Sequence, residues 1–268
     1  MERITSRKNP LLTQIRKLAA GSGRDRRAAG EYLGDGRKLL EEALKWHAPL
    51  TTVVVSEGVE LPNLPPEVRA VQVPRDVMET ISPMKTPQGA LFLARLPGME
   101  PPETLAGDRY LVLDGVQDPG NVGTIWRTAD ALGADGLILV GNCADPYSPK
   151  VVRSSMGACF RLPVYETDAG GLCALLERSG IPLSATALRE DTVSLEQARL
   201  DRAAVVIGSE GSGVSPELLA RSGQTIKIPM RERCESLNAA AAAAIVLWEM
   251  ARNPKKSGPS GPLGESGF

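Results

Sequence analysis

The stretch Asp114-Gly-Val-Gln-Asp-Pro-Gly-Asn-Val-Gly-Thr-Ile-Trp-Arg127 decides the reading of this 268-residue chain. It follows the apolar run Tyr110-Leu-Val-Leu113 and precedes a segment with helical spacing, which predicts a strand-to-helix turn. Such turns carry ligands in α/β proteins. Asn121 suits the N-cap of the helix, Gly120 and Gly123 allow close approach of backbone or ligand, and Arg127 adds a permanent cation within two turns. On these residues alone the loop fits a phosphate or carboxylate partner.

The same signature recurs on the C-terminal side. Apolar runs at 136–140, 161–165, 182–186, 203–207 and 225–228 are separated by helical patterns near 121–132, 148–156, 171–178, 216–220 and 236–252. Strands and helices alternating through short connections predict a parallel sheet covered on both faces. On the N-terminal side, Leu11, Leu12, Ile15, Leu18 and Ala19 mark one face of a short helix, and residues 21–30 read as a flexible basic loop. A second helix at Leu39, Leu40, Ala43 and Leu44, β-rich runs at 51–55, 68–73 and 90–96, and a short helix at 76–81 form a smaller α/β unit. The expected division is a basic helix and loop (1–30), a substrate-binding domain (31–97), a Pro/Gly-rich linker (98–107), the larger α/β domain (108–253) and a disordered tail (254–268).

Net charge is -1, but it is unevenly distributed. Residues 1–38 hold ten Lys/Arg against four acids, a net of +6, which leaves -7 on the remainder. A basic arm on an acidic body is a footprint for RNA, and Arg7, Lys8, Arg24, Arg26, Arg27, Arg37 and Lys38 are the candidate contacts; a solvated helix face is the competing reading. Cys143, Cys159, Cys173 and Cys234 have neither zinc-ribbon nor CxxC spacing and read as reduced thiols of a cytoplasmic protein. No signal peptide, membrane span or metal site is expected.

Two more glycine- or alanine-rich junctions accompany the first. Val205-Val-Ile-Gly-Ser-Glu-Gly-Ser-Gly-Val-Ser-Pro216 is again strand, turn and helix, with Glu210 the one charge in the turn. Lys227-Ile-Pro-Met-Arg-Glu-Arg-Cys-Glu-Ser-Leu-Asn238 leads into a helix that begins with six alanines, Ala239 to Ala244, which other backbone can approach closely. The spacing of a dinucleotide fingerprint is missing after Leu113 and after Ile207, and GxxxxGK[ST] is absent. The lone histidine, His47, lies in the first unit, so no histidine triad can be built.

Together and in this order, the three loops resemble the motifs of the SpoU/TrmH family of RNA ribose 2′-O-methyltransferases, of the SPOUT class, over about residues 108–252. Asn121, Gly123 and Arg127 correspond to the first motif, Ile207-Gly-Ser-Glu-Gly to the second, and Ile228-Pro-Met with Glu235-Ser-Leu-Asn238 to the third; Ser148-Pro-Lys-Val-Val-Arg-Ser-Ser-Met-Gly157 also resembles family sequence. The resemblance implies an S-adenosylmethionine site in a trefoil-knotted parallel-sheet domain of a homodimer. By the same resemblance Thr186, Ala187, Leu188, Gly208, Ile228, Met230 and Leu237 would bind the cofactor, and Asn121, Arg127, Glu210, Ser236 and Asn238 would surround the transferred methyl and the target ribose.

Residues 31–44 are similar to the ribosomal-protein-like substrate-binding domain of many such enzymes, with Gly34-Asp-Gly36 departing from the usual E-G. The family's arginine is often described as a base. An arginine stays protonated, and clamping a phosphate suits it better. Large-subunit 23S ribosomal RNA is the favoured substrate, with transfer RNA and a non-catalytic RNA- or ribosome-binding protein with a vestigial site as alternatives. A small-molecule methyltransferase would leave the basic arm unexplained.

Overall fold

Apolar residues in this chain alternate between strands buried on both faces and helices buried on one, and that alternation builds two sheets. The computed structural model describes residues 1–187, 189, 192–231 and 236–252. The first unit runs β1 (Glu2–Arg3), α1 (Pro10–Ala20), α2 (Gly23–Ala29), β2 (Glu31–Asp35), α3 (Arg37–Lys45), β3 (Leu50–Ser56), β4 (Arg69–Val73), α4 (Arg75–Ile81) and β5 (Ala90–Arg95). Its sheet has the order β1-β4-β3-β5-β2, with β5 antiparallel to both β3 and β2. Leu11, Leu12, Ile15 and Leu18 of α1 pack with Leu33, Val54, Val71 and Leu93 on one face of it. The N-terminal helix, read from the sequence as a separate arm, is thus built into the first sheet.

The second unit contains β6 (Arg109–Asp114), α5 (Pro119–Ala131), β7 (Gly136–Val140), α6 (Pro149–Ser154), a 3-10 turn (Ala158–Phe160), β8 (Val164–Thr167), α7 (Ala169–Ser179) and β9 (Leu183–Thr186). It continues through β10 (Val193–Ser194), a second 3-10 turn (Leu195–Gln197), β11 (Ala203–Gly208), α8 (Pro216–Arg221), β12 (Gln224–Lys227) and α9 (Ala239–Arg252). The sheet order is β10-β12-β9-β11-β6-β7-β8, and every pairing is parallel.

Strand periodicity sorts the two faces. Leu111, Leu113, Leu137, Leu139, Val205 and Ile207 face α5, α6 and α9. Tyr110, Val112, Ile138, Val140, Ala204 and Val206 face α7 and α8. Both sides are buried, as the continuous apolar runs predict.

The first face is shared with the N-terminal unit. Tyr32 of β2 meets Tyr147 at 4.8 Å between ring centroids, Tyr147 meets Trp126 of α5 edge-on at 5.8 Å, and Phe92 meets Phe160 at 6.3 Å. Residues 98–107 are braced rather than loose. Met99 and Leu105 are buried, the Met99 carbonyl accepts from Glu166 N at 2.8 Å, and Leu105 N donates to Ser179 Oγ at 2.9 Å.

Three local expectations change. Residues 21–30 hold the helix α2, with Ser22 and Asp25 forming a capping box and Gly30 closing it in the left-handed region at φ 66°. Asp118, not Asn121, caps α5: its Oδ1 accepts from Asn121 N at 2.8 Å. The last helix, expected from 236, begins at Ala239 and is capped by Asn238, whose Oδ1 accepts from Ala240 N at 2.9 Å and Ala241 N at 3.3 Å. Leu188, Cys234 and the tail 253–268 lie outside the described residues.

Candidate active site

Parallel neighbours end together, so β9, β11 and β12 bring Thr186, Gly208 and Lys227 to one edge of the sheet. There they enclose a cavity of about 320 Å³ together with Ile207, Ile226, Ile228, Met230, Ser236 and Leu237. Thr186 Oγ1 donates to the Val206 carbonyl at 2.8 Å, and Ala187 N donates to the Ile226 carbonyl at 3.0 Å, which fixes the rim. The alanines opening α9 do what their size permits: Ala239 and Ala242 form part of the wall. Every described residue expected at the cofactor, Thr186, Ala187, Gly208, Ile228, Met230 and Leu237, lines this cavity. Ile226, Ala239 and Ala242 were missed, although the strand end and the alanine run beside the motif pointed to them.

Polar groups from the three loops meet at its mouth. Glu210 and Ser236 line the cavity. Asn121 Nδ2 donates to Glu210 Oε1, and Asn238 Nδ2 donates to Asn121 Oδ1 at 3.2 Å. Asp118 steadies this arrangement from below, since the residue whose N–H it caps is Asn121; that N–H holds the Asp118 carboxyl below its ordinary value, with Lys150 at 3.3 Å assisting. Glu210 and Asn238 are exposed, so a macromolecule can reach them.

Arg127 is not part of this cluster. It sits on the exposed side of α5 in a separate cleft of about 420 Å³, with Lys38, Met156, Asp130 and Arg161. Arg161 is neutralised by Glu42 and Asp130, each at 2.7 Å, and stacks over Trp46 at 5.2 Å. The side chains of Lys38 and Arg127 have no hydrogen bond or ion pair to another described residue, so both cations are available to an incoming anion.

The expected RNA contacts divide. Lys8, Arg24, Arg37 and Lys38 are exposed. Arg7 is exposed and paired with Asp76 at 2.6 Å, and Arg27 is half-exposed and paired with Glu166. Arg26 is a correction: it is 3% exposed, its Nε donates to Asp145 at 2.6 Å and its Nη1 to the Leu18 carbonyl at 2.8 Å. A side chain so enclosed fastens α2 to the second unit and is not free for RNA.

Among the described residues no group of three or more His, Cys, Asp or Glu could hold a metal, and no helix is long and apolar enough to cross a membrane.

Known proteins are similar to this chain. Residues 108–248 match the SpoU rRNA methylase family, and residues 9–91 match the MRM3-like substrate binding domain. The 23S rRNA (guanosine(2553)-2′-O)-methyltransferase RlmP of Bacillus subtilis is 31% identical over 93% of this chain and 99% of its own. The 23S rRNA (uridine(2479)-2′-O)-methyltransferase of Streptomyces viridochromogenes is 32% identical over 93% and 92%. An AdoMet-bound rRNA methyltransferase from Sinorhizobium meliloti superposes with a TM-score of 0.82 at 30% identity, covering 94% of this chain and 97% of that one. Glycine-rich strand ends, an asparagine–glutamate mouth and these likenesses converge: the chain belongs to the SpoU rRNA methylase family.

Proposed function

We propose that this protein is an S-adenosylmethionine-dependent ribose 2′-O-methyltransferase acting on 23S ribosomal RNA. The observation that carries the reading is the cavity at the ends of β9, β11 and β12 with Asn121, Glu210 and Asn238 joined at its mouth. Its size falls within the roughly 300–1,000 Å³ of small-molecule sites, and its walls of glycine, alanine, isoleucine and strand-end backbone fit an adenine ring and a methionine chain. Bound there, the cofactor supplies an electrophilic methyl group on a positively charged sulfur. The relatives named above act on ribosomal RNA at guanosine and at uridine, so the substrate class carries over and the base does not.

The chain's own residues do the positioning. Asn121, Glu210 and Asn238 form a polar edge that orients ribose hydroxyls, with Ser236 on the same wall. Arg127 stays charged and holds a phosphate in the adjoining cleft, Lys38 beside it, while the 2′-hydroxyl proton leaves late. Orientation of this kind supplies several powers of ten in rate. Arg127→Lys is expected to retain part of the RNA affinity and lose most turnover, read by filter binding and methyl transfer; a basic limb of the pH–rate profile that moves with substitution at Arg127 would contradict the phosphate role.

The same reading includes a trefoil knot, a homodimer and a cytoplasmic location. In support of the knot, the chain runs from β12, outside β9, back across to α9, which packs on α5 beside β6 and β11. In support of a second copy, α9 exposes Ile245 at 40% and Trp248 at 60%, beside Leu195, Ile228 and Pro229. A ribosomal substrate accounts for the location. Calorimetry with S-adenosylmethionine tests the cofactor directly: saturable one-site binding is expected, and none would refute the reading.

A further inference from the structure

The loop that carries Glu210 leaves the sheet at Gly208 and doubles back on itself. Ser209 N donates to the Gly213 carbonyl at 3.1 Å, and Gly213 N returns the bond to the Ser209 carbonyl at 3.0 Å. The two arms lie so close that a Cβ on Gly208 would stand 2.1 Å from the Gly213 carbonyl carbon. These bonds shape the hairpin but do not tie it to the sheet. A polar tie is made on the returning arm, next to the buried Val214, where Ser215 N donates to Asp114 Oδ2 at 2.7 Å. Asp114 ends β6, is 8% exposed, and stands in register with Gly208 of β11. The chain that continues from Asp114 reaches, four residues on, the Asp118 that caps Asn121.

One strand end therefore anchors both partners of the Asn121–Glu210 hydrogen bond: α5 through the covalent chain, and the Glu210 hairpin through a buried carboxylate. A carboxylate accepting an amide N–H makes one of the stronger neutral-to-charged hydrogen bonds, and burial shields it from water. We propose that Asp114 is a positioning residue for methyl transfer, which holds the Glu210 hairpin in register with Asn121 without touching the substrate. This rests on the methyltransferase reading. Displacement of a reacting constellation by about 1 Å costs on the order of a hundredfold in rate, so loss of the tether has a readable consequence.

The test compares Asp114→Ala, Asp114→Asn, Glu210→Gln and the Asp114→Ala/Glu210→Gln double variant of the full chain. Each is assayed for methyl transfer to total ribosomal RNA from cells lacking the protein, for calorimetric S-adenosylmethionine binding, and for hydrogen exchange over residues 209–215, with thermal melts as a check on folding. Asp114→Ala is expected to lose about a hundredfold in turnover with accelerated exchange in that segment, and the Asn variant, whose amide oxygen still accepts, to remain within about tenfold of wild type. The double variant is expected to be no slower than the slower single one. Turnover of Asp114→Ala within threefold of wild type, unchanged exchange, or losses that multiply in the double variant would overturn the proposal. If Asp114→Ala does not fold, a hundredfold loss in the folded Asn variant without accelerated exchange would also overturn it. A wild-type protein that transfers no methyl group sinks the methyltransferase reading instead, and exchange over 209–215 still decides the tether.

Discussion

Arg24 and Arg26 stand two positions apart and do opposite work. In a helix they are about 200° apart, so Arg24 points to solvent while Arg26 turns inward onto Asp145 and the Leu18 carbonyl. Replacing Arg26 by alanine strands a largely buried carboxylate and is expected to cost roughly 3 kcal/mol or more in urea unfolding. Arg24→Ala is expected to leave stability within about 0.5 kcal/mol and to lower the salt slope of RNA binding by about one; the reverse pattern would return Arg26 to the RNA surface. Composition counted both arginines as basic-arm residues, because a partner 119 positions away leaves no local trace.

Asp35 is a second residue whose burden is invisible in sequence. It is 3% exposed, its Oδ2 accepts from Ser82 at 2.5 Å, and its Oδ1 has no hydrogen-bond partner within normal distance among the described residues. Burial raises its pKa above 3.8, against the opposing Ser82 hydrogen bond, the Arg153 charge and the Met84 backbone N–H. A carboxyl whose folded pKa is raised costs stability once the pH passes that pKa and costs nothing below the unfolded value. Asp35→Asn is therefore expected to stabilise the fold by about 1 kcal/mol at pH 7, with the gain vanishing below about pH 4 in pH-dependent denaturation. A gain that persists at low pH would assign the effect to packing.

At the scale of elements, legibility followed burial. Strands β6, β7 and β11 were readable because a parallel strand covered on both faces must be apolar throughout, and α1 and α3 because their apolar residues recur at helical spacing. Helix α2 was not readable: Gly-Arg-Asp-Arg-Arg-Ala-Ala has no apolar stripe, and its order comes from a capping box and a buried ion pair. Strand β2 was obscured by Gly34, whose missing side chain makes room for the Phe92 ring, 2.0 Å from where a Cβ would stand. Two-residue β1 and β10 are too short to carry a period. The three motif loops were legible because glycine and asparagine mark close backbone approach and caps, and the structure joins Asn121, Glu210 and Asn238 of those loops by hydrogen bonds. Arg127 stands apart from the other motif residues for a geometric reason: six residues along a helix is a rotation of about 240° from Asn121, which turns it toward the cleft it shares with Lys38 and Arg161.

The two units share one of the molecule's three apolar cores, which crosses between them. Tyr32, Tyr147 and Trp126 pack in series, and Arg161 joins Glu42 of α3 to Asp130 of α5. The distance from the exposed cations of the N-terminal unit to the cavity at the ends of β9, β11 and β12 is thereby set by packing rather than by a flexible linker. The exposed Ile245 and Trp248 of α9 are the corresponding feature on the outside. Trp248→Glu is expected to shift the protein from dimer to monomer in analytical ultracentrifugation at micromolar concentration, because a charge cannot be buried there unpaired. A wild-type protein sedimenting as a monomer would remove the second copy from the account.

The central claim, ribose methylation of large-subunit ribosomal RNA, is met most directly by mapping 2′-O-methyl groups in ribosomal RNA from cells with and without this protein. The account predicts that one 23S position loses its methyl group, and that the wild-type gene restores it while a Glu210→Gln gene does not. An unchanged methylation map, or full restoration by the Glu210→Gln variant, would contradict it.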